Sequence, residues 1–421
     1  MDAARLSPGS RVALLVPGSQ AYVDLALSLL AAGVFPVPLD PALTEAERQR
    51  ILAPIAPDLV ITDDDALGAV LGALREHGLP RGRPIHCTSG TTGTPKGVFS
   101  GLLSPDDAET LVAEERDLWG FSPDDVNLVL SPLHHSAPLR FAMGTLLAGG
   151  RIVVPGRFDP RRVTAAIVDE LPTTMFCVPT HVQRLFAHWD EVGTPDLSSF
   201  RLVAHAGAPC PPALKHRLIE TFPAGSTWEF YGSTEGQFTA CRSEEWLAHP
   251  GTVGRARPGR TITTDDEGRL WCVVPPHARF SYLGDPAKTA EAWRDTPDGP
   301  AFTVGDVGRI DADGYVHLDG RRDDLVITGG VNVYPLEVEN ALRDLPGVDD
   351  AGVFAMPDPE WGQRVCAAVV GTATDADLRE HAIAVLAPAK RPKTYVRVAD
   401  LPLTATGKLR RDQLPALLDR P

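Results

Sequence analysis

The chain has 421 residues, 43% of them hydrophobic, which is enough for two or three domains with cores of their own. A formal net charge of −15 argues against nonspecific binding to nucleic acid or to anionic membranes, since both need basic surface, so any anionic ligand must be met by local cations. The six cysteines include no C-x-x-C pair and suggest neither a zinc cluster nor a disulfide framework.

The start, MDAARLSPGSRVALLVPG, lacks the regions of a signal peptide, and the longest apolar stretch, near 25 to 39, is broken by Gly33, Pro36 and Pro38. A soluble, cytoplasmic protein with no integral membrane segment is expected. RVALLVP reads as a strand, QAYVDLALSLLAAG as a helix and VFPVPL as a strand, followed by a helix opened by a capping box from Thr44 to Glu47 and by the strand DLVIT. The same β–α rhythm resumes with VNLVLS, PLRFAMGTLLAGG, RIVVP, DPRRVTAAIVDEL, TTMFCV, PTHVQRLFAHW, FRLVAH and PPALKHRLIETF. From about 250 to 320 short strands separated by Gly, Pro and Asp take over. After GRRDD, residues 335 to 421 form a compact α+β pattern. The expected fold is α/β: a large N-terminal domain of helix-covered, mostly parallel sheets with a small β subdomain, plus a compact α+β C-terminal domain. The boundaries read as 1–320, with the β subdomain at about 250–320, a hinge at 321–324, and a C-terminal domain at 325–421.

Between the two β–α runs, residues 86–97 read HCTSGTTGTPKG. Glycines let backbone N–H groups approach a ligand, hydroxyls add donors, and Lys96 adds a point charge, a set that suits polyphosphate oxygens. The Walker pattern fails, because Pro95 stands where its second Gly belongs and Gly97 follows Lys96. Taken alone, the stretch also reads as a Gly/Ser/Thr-rich surface turn. A metal pair at His134 and His135 is disfavoured, since adjacent strand residues face opposite ways. YGSTEG is no nucleophile elbow, because Thr234 occupies the place that Ser needs.

Five further segments follow in order: Ala206–Pro209, Tyr231–Gly236, Val304–Asp306, Gly320–Asp324 with ITGGVNVYP, and Pro402–Lys408. With the phosphate loop they resemble the adenylate-forming superfamily of acyl-CoA synthetases, peptide-synthetase adenylation domains and luciferases, over about residues 11 to 415. The phrases HHSAP, CVPT and WEFYGSTEG look most like bacterial fatty-acyl-CoA synthetases. The resemblance implies that a carboxylate attacks the α-phosphate of ATP, expelling pyrophosphate, and that a thiol then captures the acyl adenylate. It implies that Thr88, Ser89, Gly90, Thr91, Thr92, Gly93 and Lys96 hold the β- and γ-phosphates, and that Glu235 binds Mg2+ while Thr234 reaches the α-phosphate. Adenine is expected against Ala208, Pro209 and Tyr231, with Gly232 also among the ATP-binding residues and Asp306 and Arg321 at the ribose. Lys408 would bridge the attacking carboxylate and the α-phosphate. Asp323 matches the hinge, and Gly329 and Gly330 a tunnel for pantetheine. His135 matches the mouth of the acyl pocket.

Amino-acid-activating relatives place an aspartate where Ser136 stands, so a non-amino acid is expected. The inferred pocket of Ser136, Phe141, Met143, Val178 and Phe230 is mainly apolar and suggests a fatty, aryl or polycyclic acid. The implied cofactors are ATP, Mg2+ and coenzyme A or a carrier-protein phosphopantetheine. Two alternatives stay open: an acyl-AMP ligase that loads a carrier protein, and a non-catalytic nucleotide-binding protein. The segment before RVALLVP is short for the superfamily, so that strand is expected to have a bare apolar outer face and to support a two-fold homodimer.

Overall fold

The computed structural model describes residues 6–74, 78–88, 96–321, 324–404 and 407–418, with Thr88 in its backbone only. The first sheet sets strand Arg11–Leu14 between Phe35–Pro38 and Leu59–Ile61, all parallel. Helix Gln20–Ala31 starts where the Ser19 side chain accepts from the Tyr22 N–H, and helix Glu45–Ile55 carries both bonds of the Thr44–Glu47 capping box. Val12, Ala13 and Leu14 are fully buried, so the expected bare face on this strand is not found. The cover comes from helix Asp64–Ala73, which the sequence reading passed over and which packs on helix Gln20–Ala31, placing Leu67 and Val70 in the same core.

The second sheet has seven strands. Thr227–Glu229, Leu202–His205, Thr174–Cys177, Val126–Val129 and Arg151–Val153 run parallel in that spatial order. Thr239–Arg242 and Arg255–Ala256 extend it antiparallel. Helices Ser136–Leu147, Pro160–Glu170, Pro179–Val192 and Pro212–Thr221 connect the parallel strands, as their amphipathic spacing requires. Just past the carboxyl ends of three of these strands lie Val178–Thr180, where a helix begins, Ala206–Pro209 and Phe230–Tyr231. In open α/β sheets that edge carries the ligand crevice.

Residues 261–302 form an antiparallel four-stranded sheet, interrupted by helix Pro286–Ala292, so helix does not vanish from this region. From Val326 onward the chain builds a separate sheet around the long hairpin of Val348–Asp358 and Gly362–Gly371, with Thr394–Arg397 parallel to its second strand. Helices Pro335–Arg343 and Asp375–Val385 close a core of Val338, Leu342, Val353, Val365 and Leu378. Among the described residues no helix is long and apolar enough to cross a membrane.

Candidate active site

Tyr231 leaves the end of strand Thr227–Glu229, stacks on Phe238 at 4.8 Å, and donates its hydroxyl to Asp306 Oδ2 at 2.5 Å. Asp306 and Arg321 face each other across an antiparallel pair, and Arg321 Nε donates to Oδ1 at 3.0 Å. Burial raises the Asp306 carboxyl and Arg321 opposes that rise. Ala208, half-buried, and Pro209, exposed, stand on the neighbouring turn.

The Tyr231–Gly236 segment folds back on itself, with the Ser233 N–H donating to Gly236 O at 2.8 Å. A Cβ at Gly232 would lie 2.8 Å from that same carbonyl oxygen, which is why glycine stands there. The fold-back buries Glu235, whose Oε1 accepts from the Tyr282 hydroxyl at 2.8 Å, while Arg83 Nη1 holds its backbone carbonyl at 3.2 Å. No described residue bonds Glu235 Oε2, so this carboxylate keeps an oxygen free for a hard cation, as Mg2+ requires. Thr234, half-buried, precedes it.

The phosphate loop is anchored by antiparallel strands His86–Thr88 and Lys96–Phe99, which set Thr88 opposite Lys96. Ser89, Gly90, Thr91, Thr92 and Gly93 lie outside the described residues. Lys96 pairs with Asp285, which also caps helix Pro286–Ala292 by accepting from the Lys288 N–H at 2.9 Å. Sequence reading missed Asp285, although an acid directly before Pro286 is a helix-start signal.

Lys408 sits on a tight turn in which its N–H donates to Thr404 Oγ1 at 3.0 Å and its carbonyl accepts from the Thr404 N–H at 2.8 Å. Gly407 has φ +77°, and a Cβ there would come within 2.4 Å of Thr180 Oγ1, so the turn lies against the carboxyl edge of the seven-stranded sheet. Part of the Lys408 side chain remains open to solvent, but the walls around it strip enough water to lower its ammonium pKa, helped by Arg321 and opposed by Glu235 and Asp306. Burial, His134, His86 and Lys408 together push His135 down to about 3, so its ring is neutral. Its Nε2 is buried and has no partner among the described residues. The structure thus brings Lys408, His135, Glu235, Asp306 and Arg321 into one electrostatic neighbourhood.

Gly329 and Gly330 cap the exposed hairpin of Val326–Thr328 and Val331–Val333, with φ of +56° and +78°. Apart from its chain neighbours, no described residue comes within 4 Å of where a Cβ of Gly330 would stand. Asp323 lies outside the described residues; just after it, Asp324 pairs with Arg411 at 3.3 Å.

The inferred acyl pocket divides. Phe141, Val178 and Phe230 pack into an aromatic cluster with Trp119 and Phe176, the Phe141 and Phe230 rings stacking at 6.2 Å. Ser136 and Met143 instead line a cavity of about 260 Å³ between helix Ser136–Leu147 and helix Pro105–Trp119. Its walls include Arg83, Glu115, Arg140, Gln237, Arg257 and Arg260, none of which the sequence reading singled out. The helix that carries Glu115 was itself missed, although Ser104-Pro105-Asp106-Asp107 is a start signal and Gly120, with φ +63°, a stop.

A helix-covered parallel sheet with this cluster at its carboxyl edge, and a small domain placing a lysine against it, is the architecture of adenylate-forming enzymes. The chain belongs to the AMP-binding enzymes: the family model "AMP-binding enzyme" matches residues 85–275, and "AMP-binding enzyme C-terminal domain" matches residues 337–408. It is 35% identical to a feruloyl-CoA synthase of Amycolatopsis sp, over 97% of this chain and 89% of that protein. It is 30% identical to the fatty acid–[acyl-carrier-protein] ligase ScoC of Streptomyces coeruleorubidus, over 98% and 88%. Among solved structures, ATP-bound MatB from Rhodopseudomonas palustris superposes with a TM-score of 0.81 at 29% identity, covering 98% of this chain and 89% of that one.

Proposed function

We propose that the protein is an ATP-dependent carboxylic acid:CoA ligase. A carboxylate oxygen attacks the α-phosphorus of ATP, the bond to the bridging oxygen breaks, and pyrophosphate leaves. The thiol sulfur then attacks the acyl carbon, and AMP leaves as the thioester forms. The observation that carries the reading is Lys408, held among Glu235, Asp306 and Arg321, while Gly329 and Gly330 face solvent on the same small domain. That is the arrangement expected for the first half-reaction, with the thiol-side hairpin turned away.

In this reading Asp306 and Arg321 receive the ribose hydroxyls, Tyr231 fixes the Asp306 carboxylate, and Ala208, Pro209 and Gly232 border the adenine. Lys96 exchanges Asp285 for a phosphate oxygen, assisted by the loop from Thr88 to Gly93. Lys408 neutralises charge that builds between the carboxylate and the α-phosphate, and neutral His135 borders the reacting carboxyl without adding a competing cation. Mg2+, when bound at Glu235, supplies further charge neutralisation on the phosphates. Domain rotation at Asp323 would then exchange Lys408 for the Gly329–Gly330 hairpin.

Acid-dependent exchange of labelled pyrophosphate into ATP tests the first half-reaction. Adding CoA or a carrier protein to the preformed adenylate tests the second and names the acceptor.

A further inference from the structure

The cavity beside helix Ser136–Leu147 sets a cluster of charged and amide side chains among mainly apolar walls. Ser136, Arg140, Met143, Gly144 and Leu147 recur on one face of that helix, so the cavity follows it inward from Ser136. Leu111, Val112, Met143, Leu147 and Phe302 supply apolar walls. Five arginines also line it: Arg116, exposed and paired with Asp117, and, between the apolar walls, Arg83, Arg140, Arg257 and Arg260. Arg257 donates to Glu115 Oε1 at 2.7 Å, Arg140 Nε lies 3.3 Å from Glu115 Oε2, and Arg260 donates to Glu114 Oε2 at 2.8 Å. Among the described residues Arg83 has no carboxylate partner and donates to the backbone carbonyls of Glu235, Ala278 and Arg279.

Three of these guanidiniums therefore share two carboxylates, Glu114 and Glu115, while Arg83 feels Glu115 and Glu235 only at longer range. Burial together with Arg260 and Arg140 pushes Arg83 down to about 10. Burial would raise the Glu115 carboxyl, but Arg257 and Arg140 overcome it and hold it at about 2. Donors are also left over. Gln237 is 5% exposed, its Oε1 accepts from Arg257 at 2.5 Å, and its Nε2 has no partner among the described residues. Arg140 Nη2 is likewise buried without one. Buried cations in excess and unpaired donors both cost stability unless a guest answers them.

We infer that the acid activated here carries a second, anionic oxygen group on its tail, received by Arg140 and Gln237 one helical turn, about 6 Å, deeper than Ser136. The inference rests on the ligase reading and replaces the expectation of an apolar tail with a dicarboxylate-type substrate. The apolar walls then hold the carbons between the two carboxylates. Arg140 supplies charge, and Gln237, oriented by Arg257, supplies two neutral donors.

The test is pyrophosphate exchange with a homologous series of straight-chain dicarboxylic acids, each compared with the monocarboxylic and the ω-hydroxy acid of equal length. At one chain length the dicarboxylic acid should exceed both by at least about tenfold in kcat/KM. Arg140→Met should collapse that ratio, with the change in KM for the acid and not in KM for ATP. Gln237→Glu, which puts a like charge beside the guest, should lower the same ratio even if Arg140→Met folds poorly. Monocarboxylic or hydroxy acids matching the dicarboxylic acids at every length would overturn the inference while leaving the ligase reading intact. So would substitutions that raise only KM for ATP. Exchange with no acid at all would overturn the ligase reading and this inference with it.

Discussion

Truncating Lys408 to alanine removes one cation from the point where two anions must meet. Loss of a single charge-stabilising donor at a reacting centre commonly costs about 3 to 4 kcal/mol. Adenylation by Lys408→Ala is therefore expected to fall by at least about two orders of magnitude, while thioester formation from presynthesised acyl adenylate survives. Equal loss in both half-reactions, measured separately, contradicts the assignment. Tyr231→Phe removes the hydroxyl that donates to Asp306 but keeps the ring on Phe238. It should raise KM for ATP several-fold and leave KM for the acid unchanged, because a freed Asp306 carboxylate positions the ribose less well. An effect confined to the acid would place Tyr231 elsewhere in the reaction.

At the scale of elements, the Gly329–Gly330 hairpin and helix Pro105–Trp119 each make a separate prediction. Gly330→Leu has room in the present arrangement, since no described residue beyond its chain neighbours lies near its missing Cβ, but its φ of +78° burdens any side chain. Pyrophosphate exchange should persist while CoA-dependent turnover falls, and Gly330→Asn, which tolerates positive φ, separates the steric effect from the backbone one. Normal turnover in the leucine variant would remove the hairpin from the thiol path. Ser104→Ala should cost about 1 kcal/mol in denaturant unfolding by deleting the cap of helix Pro105–Trp119. The β–α alternation was readable because each strand and helix buries a face with its own period, and the motifs because phosphate, diol and cation chemistry each demand particular side chains. The cavity was not readable. Glu115, Arg140, Gln237 and Arg257 come from separate elements, and nothing in their local sequence says that folding brings them together. Phe141 and Phe230 show a related limit: an apolar residue beside a motif is equally suited to lining a pocket or to packing behind one, and here both rings lie in an aromatic cluster next to the cavity.

Among the described residues, five histidines, His86, His134, His135, His181 and His205, have their pKa lowered in the folded state, with burial the leading cause in each. Unfolded histidine titrates near 6.5. As pH falls below that value the unfolded chain binds protons that the folded chain refuses, so stability is lost on acidification and regained as pH rises. Each histidine contributes a slope of about 1.4 kcal/mol per pH unit until its folded pKa is reached, about 4 for His86 and His181 and about 3 for His135. The melting temperature should drop steeply between pH 7 and pH 5, and His181→Gln should flatten the drop by one proton's worth. A melting temperature insensitive to that interval would contradict the buried, neutral assignment.

The proposed chemistry depends on a C-terminal lysine placed in an adenylate-forming crevice. Acid-dependent pyrophosphate exchange, run on the wild-type protein and on Lys408→Ala over mono- and dicarboxylic acids, reads that placement directly. The account predicts exchange that requires both ATP and an acid and that nearly vanishes in the variant. Catalytic silence of the wild type with every acid, or a variant as active as the wild type, would contradict it.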